Sequence, residues 1–320
     1  MKCKKWLALL LALILILCAT ACNYSGDDDH RDRDESDDSS SDTLSASGPL
    51  LYRVTDKNGN VAWVFGSIHV GRDDFYPLPD YVTTALESAD AVAVEYDIVA
   101  AEKNMYAQLS AQQQCTYSFG DSIRNHISAE LYNKAASEIG VYSALYDQYI
   151  PALWAVLIEQ SRFPLGGKEY GVDRHIINTA YSLDLPVYDI ESASQQYAML
   201  ASFSEELQVL LLEQALKTTT DEYQRNLDQL MNDWLIGNKQ GIYDYACTTP
   251  TDLTTEEAVL YAEYQEKMLT NRDKNMTDFL IDAMNNGEKL FVCVGSAHVI
   301  GTNGIVEQLQ AKGYTVEVVK

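Results

Sequence analysis

The stretch whose reading decides the fold is LFVCVGSAHVIG, residues 290–301. A run of apolar and β-branched residues reads as a buried strand, and it ends in the turn Gly295-Ser296-Ala297-His298. A strand that stops at such a turn presents an imidazole at its carboxyl end. The same arrangement occurs in VAWVFGSIHVG, residues 61–71, where Gly66-Ser67-Ile68-His69 takes the same place 229 residues earlier. One histidine after a strand is most often a hydrogen-bonded structural residue, but two in one local context point to a joint role. Sites in open α/β sheets form at the carboxyl ends of strands, so two neighbouring strands would bring His69 and His298 to one rim.

Working outward, residues 51–55 and 61–65 flank Asp56-Lys57-Asn58-Gly59-Asn60, whose Asn-Gly pair is a hairpin signal. A helix is expected over 81–88, followed by the strand AVAVEY at 91–96 that delivers Glu95, with Asp97 just beyond. Residues 99–163 have helical spacing, with Ser128 as an N-cap. Tyr170-Gly171-Val172-Asp173 opens a helix to 183, and a short strand over 186–190 ends at Glu191. Helix starts follow at Ser204-Glu205-Glu206 and at Thr254-Thr255-Glu256-Glu257, the second a capping box whose helix is expected to run to 284. Asn286-Gly287 closes it, and after the 290 strand come a helix over 305–311 and a strand over 314–319. No tandem period of a solenoid is present. The expected fold class is α/β: a central sheet formed by the N- and C-terminal halves, with a large helical insertion rather than a separate domain.

The chain of 320 residues is 47% hydrophobic, enough for a real core, and its formal net charge is -24. Residues 1–21 combine Lys2, Lys4 and Lys5 with an apolar run and then Ala19-Thr20-Ala21, the layout of a secretory signal too short for a comfortable span. Small residues before Cys22 resemble a lipobox, so Cys22 is the expected lipidation site; Cys18 is a poorer one because Leu17 precedes it. The alternative is a plain secreted protein cut near Ala21. Residues 22–49 carry nine acidic and two basic residues with many serines, the composition of a disordered tether. Without signal and tether, residues 50–320 keep a charge of about -20, which argues against nucleic acid as partner. Cys115, Cys247 and Cys293 remain; three thiols without CxxC spacing make neither a disulfide framework nor a zinc finger.

The expected strand ends collect His69, Glu95, Glu191 and His298. Imidazole and carboxylate are ligands of a divalent metal such as zinc, manganese or cobalt, and a leftover carboxylate can act as general base. Taken singly, Glu95 and Glu191 read as readily as a surface strand end or a salt-bridge partner. HExxH, GxSxG, Walker and GxGxxG motifs are absent, and Ser67 and Ser296 do not have nucleophile-and-base spacing to their histidines. His126 and His175 are expected on helices as structural or exposed residues.

GSIHVG and VGSAHVIGTNGIVEQLQAKGYTVEVV resemble the two GxxH motifs of the TraB/GumN family, which includes the Tiki metalloproteases. AVAVEYD, YGVD at 170–173, DIESASQQ and the Arg272-Asp273 pair with Met276 resemble further family positions over residues 50–320, although many members have asparagine where Asp273 stands. The resemblance implies an α/β fold with pseudo-symmetric halves, akin to erythromycin-esterase-like and ChaN-like proteins, and metal-dependent peptide cleavage outside the cytoplasm. Under it His69, His298 and Glu95 hold the metal, Glu191 is the general base and Arg272 stabilises the oxyanion. The expected protein is therefore a lipid-anchored, extracytoplasmic metal-dependent hydrolase of peptide or small-molecule substrates. Its rival is a non-catalytic lipoprotein that captures a peptide, pheromone or haem in the same cleft.

Overall fold

A computed structural model describes residues 48–319 apart from 140, 141, 165 and 249–252. The signal at 1–21, Cys22 and nearly all of the tether lie outside the described residues.

Six strands form one sheet: β1 (Leu51–Thr55), β2 (Val61–Ser67), β3 (Ala91–Val94), β4 (Val187–Asp189), β5 (Leu290–Gly295) and β6 (Thr315–Val319), in the spatial order β4-β3-β5-β2-β1-β6. β4, β3, β5 and β2 run parallel, while β1 is antiparallel to both β2 and β6. The β1–β2 hairpin closes as its sequence dictates, with Asp56 accepting the Asn58 and Asn60 amides at 2.8 Å and Gly59 at φ 89°. The decisive pairing is that of β5, which comes from the far end of the chain and inserts between β2 and β3. Three adjacent strands thus end at His69, His298 and Glu95, and β4 adds Glu191 beyond.

Central strands covered on both faces must be apolar throughout, and β3 (AVAV) is wholly buried while β5 (LFVCVG) is buried over its first five residues. The edge strands β4 and β6 are largely exposed or half-buried, as their mixed composition requires. Helices Asp80–Glu87, Val172–Ser182, Asn271–Asn285 and Ile305–Ala311 supply residues to this core, which includes Phe65, Phe291 and Trp234. The helical middle carries a second apolar cluster around Trp154, drawn largely from helices Pro151–Gln160 and Glu205–Lys217. Ala193 packs against both clusters.

The capping box is present: Thr254 accepts from the Glu257 amide at 3.2 Å, and Glu257 accepts from the Thr254 amide at 2.9 Å. The helix it starts is not continuous to 284. It runs as Thr255–Gln265, widens into a π-helical turn at Glu266–Thr270, and resumes as Asn271–Asn285. His126 lies just after a short 3₁₀ turn rather than within a helix, bonded to Asp121 and Glu205 and stacked on Tyr117. His175 is on its expected helix and stacks on Tyr76. Cys115, Cys247 and Cys293 are free and buried.

Candidate functional site

The two GSxH turns stand side by side because Ser67 is the register partner of Gly295. They are tied directly: the Ser296 hydroxyl donates to the Ser67 carbonyl at 3.0 Å. Gly66 has to be glycine here, since a Cβ on it would lie 2.8 Å from Ser296 Oγ and 3.2 Å from Ser296 Cα. Behind the turn, the buried Trp234 indole N–H donates to the Gly66 carbonyl at 2.8 Å.

Each histidine is backed by an aspartate from the first turn of a helix. His69 Nδ1 lies 3.1 Å from Asp173 Oδ2, and His298 Nδ1 lies 2.6 Å from Asp273 Oδ1. The Val172 amide donates to the Ile68 carbonyl, which locks the Asp173 helix onto the His69 loop. A carboxylate at Nδ1 holds the proton there and leaves Nε2 with its lone pair, the tautomer a metal ligand requires. His298 is fully buried, and its Nε2 makes no hydrogen bond among the described residues. Burial raises the Asp273 carboxyl, with His298 and Arg272 pulling it back down.

Glu95 sits where these elements converge. Its Oε1 accepts from the Gly295 amide at 2.9 Å and lies 3.9 Å from His298 Nε2, while its Oε2 accepts from Arg272 at 2.6 Å and from Gln196 at 3.2 Å. Burial opposes its ionisation, but the Arg272 guanidinium, the two histidines and the Gly295 amide outweigh burial and hold the carboxyl down at about 2. Glu191 is brought alongside by its backbone, whose amide donates to the Glu95 carbonyl at 2.7 Å. Arg272 then forks onto it, Nε to Oε1 and Nη2 to Oε2, both at 2.8 Å, and Gln196 adds a third bond at 3.2 Å. The salt-bridge reading of Glu191 is thus the one the geometry favours: both oxygens are engaged, which suits positioning better than proton transfer. Arg272 is likewise spent on two carboxylates and the Met268 carbonyl.

In donor type, the set suits a borderline divalent ion: two imidazoles with fixed tautomers, one of them an orphaned buried nitrogen, and an ionised carboxylate oxygen beside it. Among the described residues, however, no three His, Cys, Asp or Glu side chains already close on one point. Sequence reasoning named His69, Glu95, His298, Glu191 and Arg272, and all five lie in this cluster or line its pocket. It gave no role to Asp173, Asp273 or Gln196. The available signal was an acidic residue in the first turn of each of two helices, Val172–Ser182 and Asn271–Asn285.

Two pockets meet at Ser67 and His69. The smaller, with about 280 Å3 of empty space, is lined in part by Glu95, Asp173 and Gln196; Asp173 Oδ1 is buried without a hydrogen bond among the described residues. The larger, about 630 Å3 and open on one side, is mainly apolar.

The sequence matches the TraB/PrgY/gumN family over residues 50–318. It is 27% identical over 254 residues to the uncharacterized protein YbaP of Escherichia coli (strain K12), covering 77% of this chain and 87% of that protein, and shows the same values against YbaP of Shigella flexneri. No solved structure matches.

Proposed function

The chain belongs to the TraB/PrgY/gumN family, and on that premise we propose that the rim is the site of a metal-dependent hydrolase acting on peptide-like carbonyl compounds outside the cytoplasm. The observation that carries the reading is the pair of aspartate-backed histidines at one rim, with an ionised Glu95 3.9 Å from His298 Nε2, a buried nitrogen without a hydrogen bond among the described residues. His69, His298 and Glu95 are the residues to hold the ion, whose identity is zinc, manganese or cobalt. When bound, it supplies Lewis acidity that polarises a carbonyl and makes water a better nucleophile.

The remaining residues divide the other work. Asp173 and Asp273 fix the two ring tautomers. Arg272, itself oriented by Glu191 and Gln196, keeps Glu95 ionised and pointed at the histidines. The proton acceptor is Asp173, which lines the smaller pocket and whose Oδ1 has no hydrogen bond among the described residues. This assignment replaces Glu191, whose oxygens are already engaged. Anchoring rests on Ala19-Thr20-Ala21-Cys22, and no helix of the described residues is long and apolar enough to cross a membrane. The open apolar pocket beside the rim favours a second reading, capture of a ligand without turnover.

Metal stoichiometry of the full-length chain by mass spectrometry, alongside cleavage of a peptide library with added manganese, cobalt or zinc, tests the proposal. Near-stoichiometric metal with metal-dependent cleavage is expected. A chain that holds no divalent metal at micromolar concentration would end the hydrolase reading in favour of capture.

A further inference from the structure

The rim adjoins two pockets of opposite character, and the difference identifies what each contacts. Ser67 and His69 line both. On one side lie the carboxylates, in a space too narrow for more than small groups. On the other, the far wall is built from Leu230, Ile242, Tyr245, Ala246, Tyr264 and Leu269, and its near edge is the turn Gly295-Ser296-Ala297 that leads into His298. Among the described residues no Asp, Glu, Lys or Arg lines this pocket, although the chain has 47 acidic and 23 basic residues. A charged group entering it would lose its hydration with no counter-charge to meet it. The Tyr245 hydroxyl on its wall is buried and makes no hydrogen bond among the described residues. Two tyrosine rings give flat apolar surface at little conformational cost.

We propose that this pocket is the specificity subsite: it takes an aliphatic or aromatic side chain of the substrate, packed against the apolar wall. The amide next to that side chain is thereby placed over the His69–His298 rim. The inference rests on the hydrolase reading for the reaction, but the class of group bound follows from the pocket itself.

The test has a binding arm and a cleavage arm, both on the detergent-solubilised full-length chain. N-acetyl-L-leucinamide, N-acetyl-L-phenylalaninamide, N-acetylglycinamide and the singly charged N-acetyl-L-aspartic acid amide are titrated by ligand-observed NMR. The leucine and phenylalanine compounds are expected to bind about tenfold or more tighter than the glycine compound, on the scale of apolar pocket discrimination, and the aspartate compound not to saturate. Ala246→Phe, which fills the pocket from a half-buried position, and Leu269→Asp, which charges its wall, are each expected to remove that preference while keeping the far-UV circular dichroism of the parent. Equal binding of all four compounds, or a preference that survives in whichever variant is folded, overturns the proposal. In the cleavage arm, products are expected to carry aliphatic or aromatic residues next to the cut. Cleavage without that preference refutes the subsite and leaves the hydrolase. Apolar amide binding that Ala246→Phe abolishes, in a chain that cleaves nothing, refutes the hydrolase and leaves the pocket's ligand class standing.

Discussion

The two GSxH turns leave parallel neighbouring strands in the same direction, yet they continue differently. After β2 the chain stays irregular through His69, which is 9% exposed; after β5 it winds at once into the short helix Ser296–Ile300, with His298 at 0%. The partners differ as well: 3.1 Å from His69 to an aspartate that also faces a pocket, against 2.6 Å from His298 to one that is 1% exposed. What the tetrapeptide fixes is the exit from the sheet and the reach of an imidazole over the rim. Whether that imidazole is held rigidly depends on what packs around it. The His298 half is enclosed by packing, and the His69 half borders two pockets.

Removing each imidazole is the strongest way to break this contrast. His69→Ala and His298→Ala should each lose bound metal and lower turnover by roughly 10²-fold or more. Only His298→Ala should also unfold readily, by about 3 kcal/mol in urea, because it strands Asp273 in the core; His69→Ala should cost about 1 kcal/mol, since Asp173 can be hydrated from its pocket. Equal losses of stability would mean that the two halves are equally rigid.

The aspartates sharpen the contrast. Asp173→Asn and Asp273→Asn should each weaken metal affinity by about 10- to 100-fold, the usual cost of losing the carboxylate behind a ligating histidine. With metal at saturation, Asp273→Asn should recover most of its turnover, while Asp173→Asn should remain slow because its second oxygen is the proton acceptor. Recovery of both would remove that role from Asp173.

The glycines differ too. Gly66→Ala places a methyl 3.2 Å from backbone at Ser296 and should cost about 1–3 kcal/mol in thermal melts, with metal binding affected only through the displaced turn. Gly295→Ala places it 3.2 Å from Glu95 Oε1 and 3.6 Å from His298 Cδ2, so its main effect should fall on metal affinity instead.

A last test concerns the residue the halves share. Because the folded-state carboxyl of Glu95 is held down at about 2, below its ordinary 4.5, it contributes stability that is fully present above pH 4.5 and is lost as pH falls towards 2. Metal-free protein should show that slope in acid denaturation, and Glu95→Gln should flatten it.

Much of this was legible in the sequence because it depends on short-range signals. Apolar runs that stop at glycine located β2 and β5, the Asn-Gly pair located the hairpin, and the Thr254–Glu257 box located a helix start. His69, Glu95, His298 and Glu191 were legible as candidates because strand ends gather at one rim, and Arg272, on a helix, only through the family resemblance. The aspartates were not, since their role depends on how two helices pack against two loops more than 20 residues away in sequence. Nor was the pairing of Glu191 with Arg272, 81 residues apart: a strand-end carboxylate looks the same from the sequence whether it is free or clamped.

The π-helical turn at Glu266–Thr270 has a consequence for how such a site could change over generations. It lies between Tyr264, which walls the apolar pocket, and Arg272, which clamps the two glutamates, and it holds both Leu269 of that wall and the Met268 carbonyl that Arg272 reaches. A π turn is an α-helix with one residue too many. Losing one codon there would restore 3.6 residues per turn with the flanking helices kept close to their present phase, and would re-aim only the residues of the turn itself. A deletion that leaves the fold intact would therefore fall first on Leu269 of the pocket wall and on the Met268 carbonyl beneath the arginine, while Tyr264 and Arg272 kept their places.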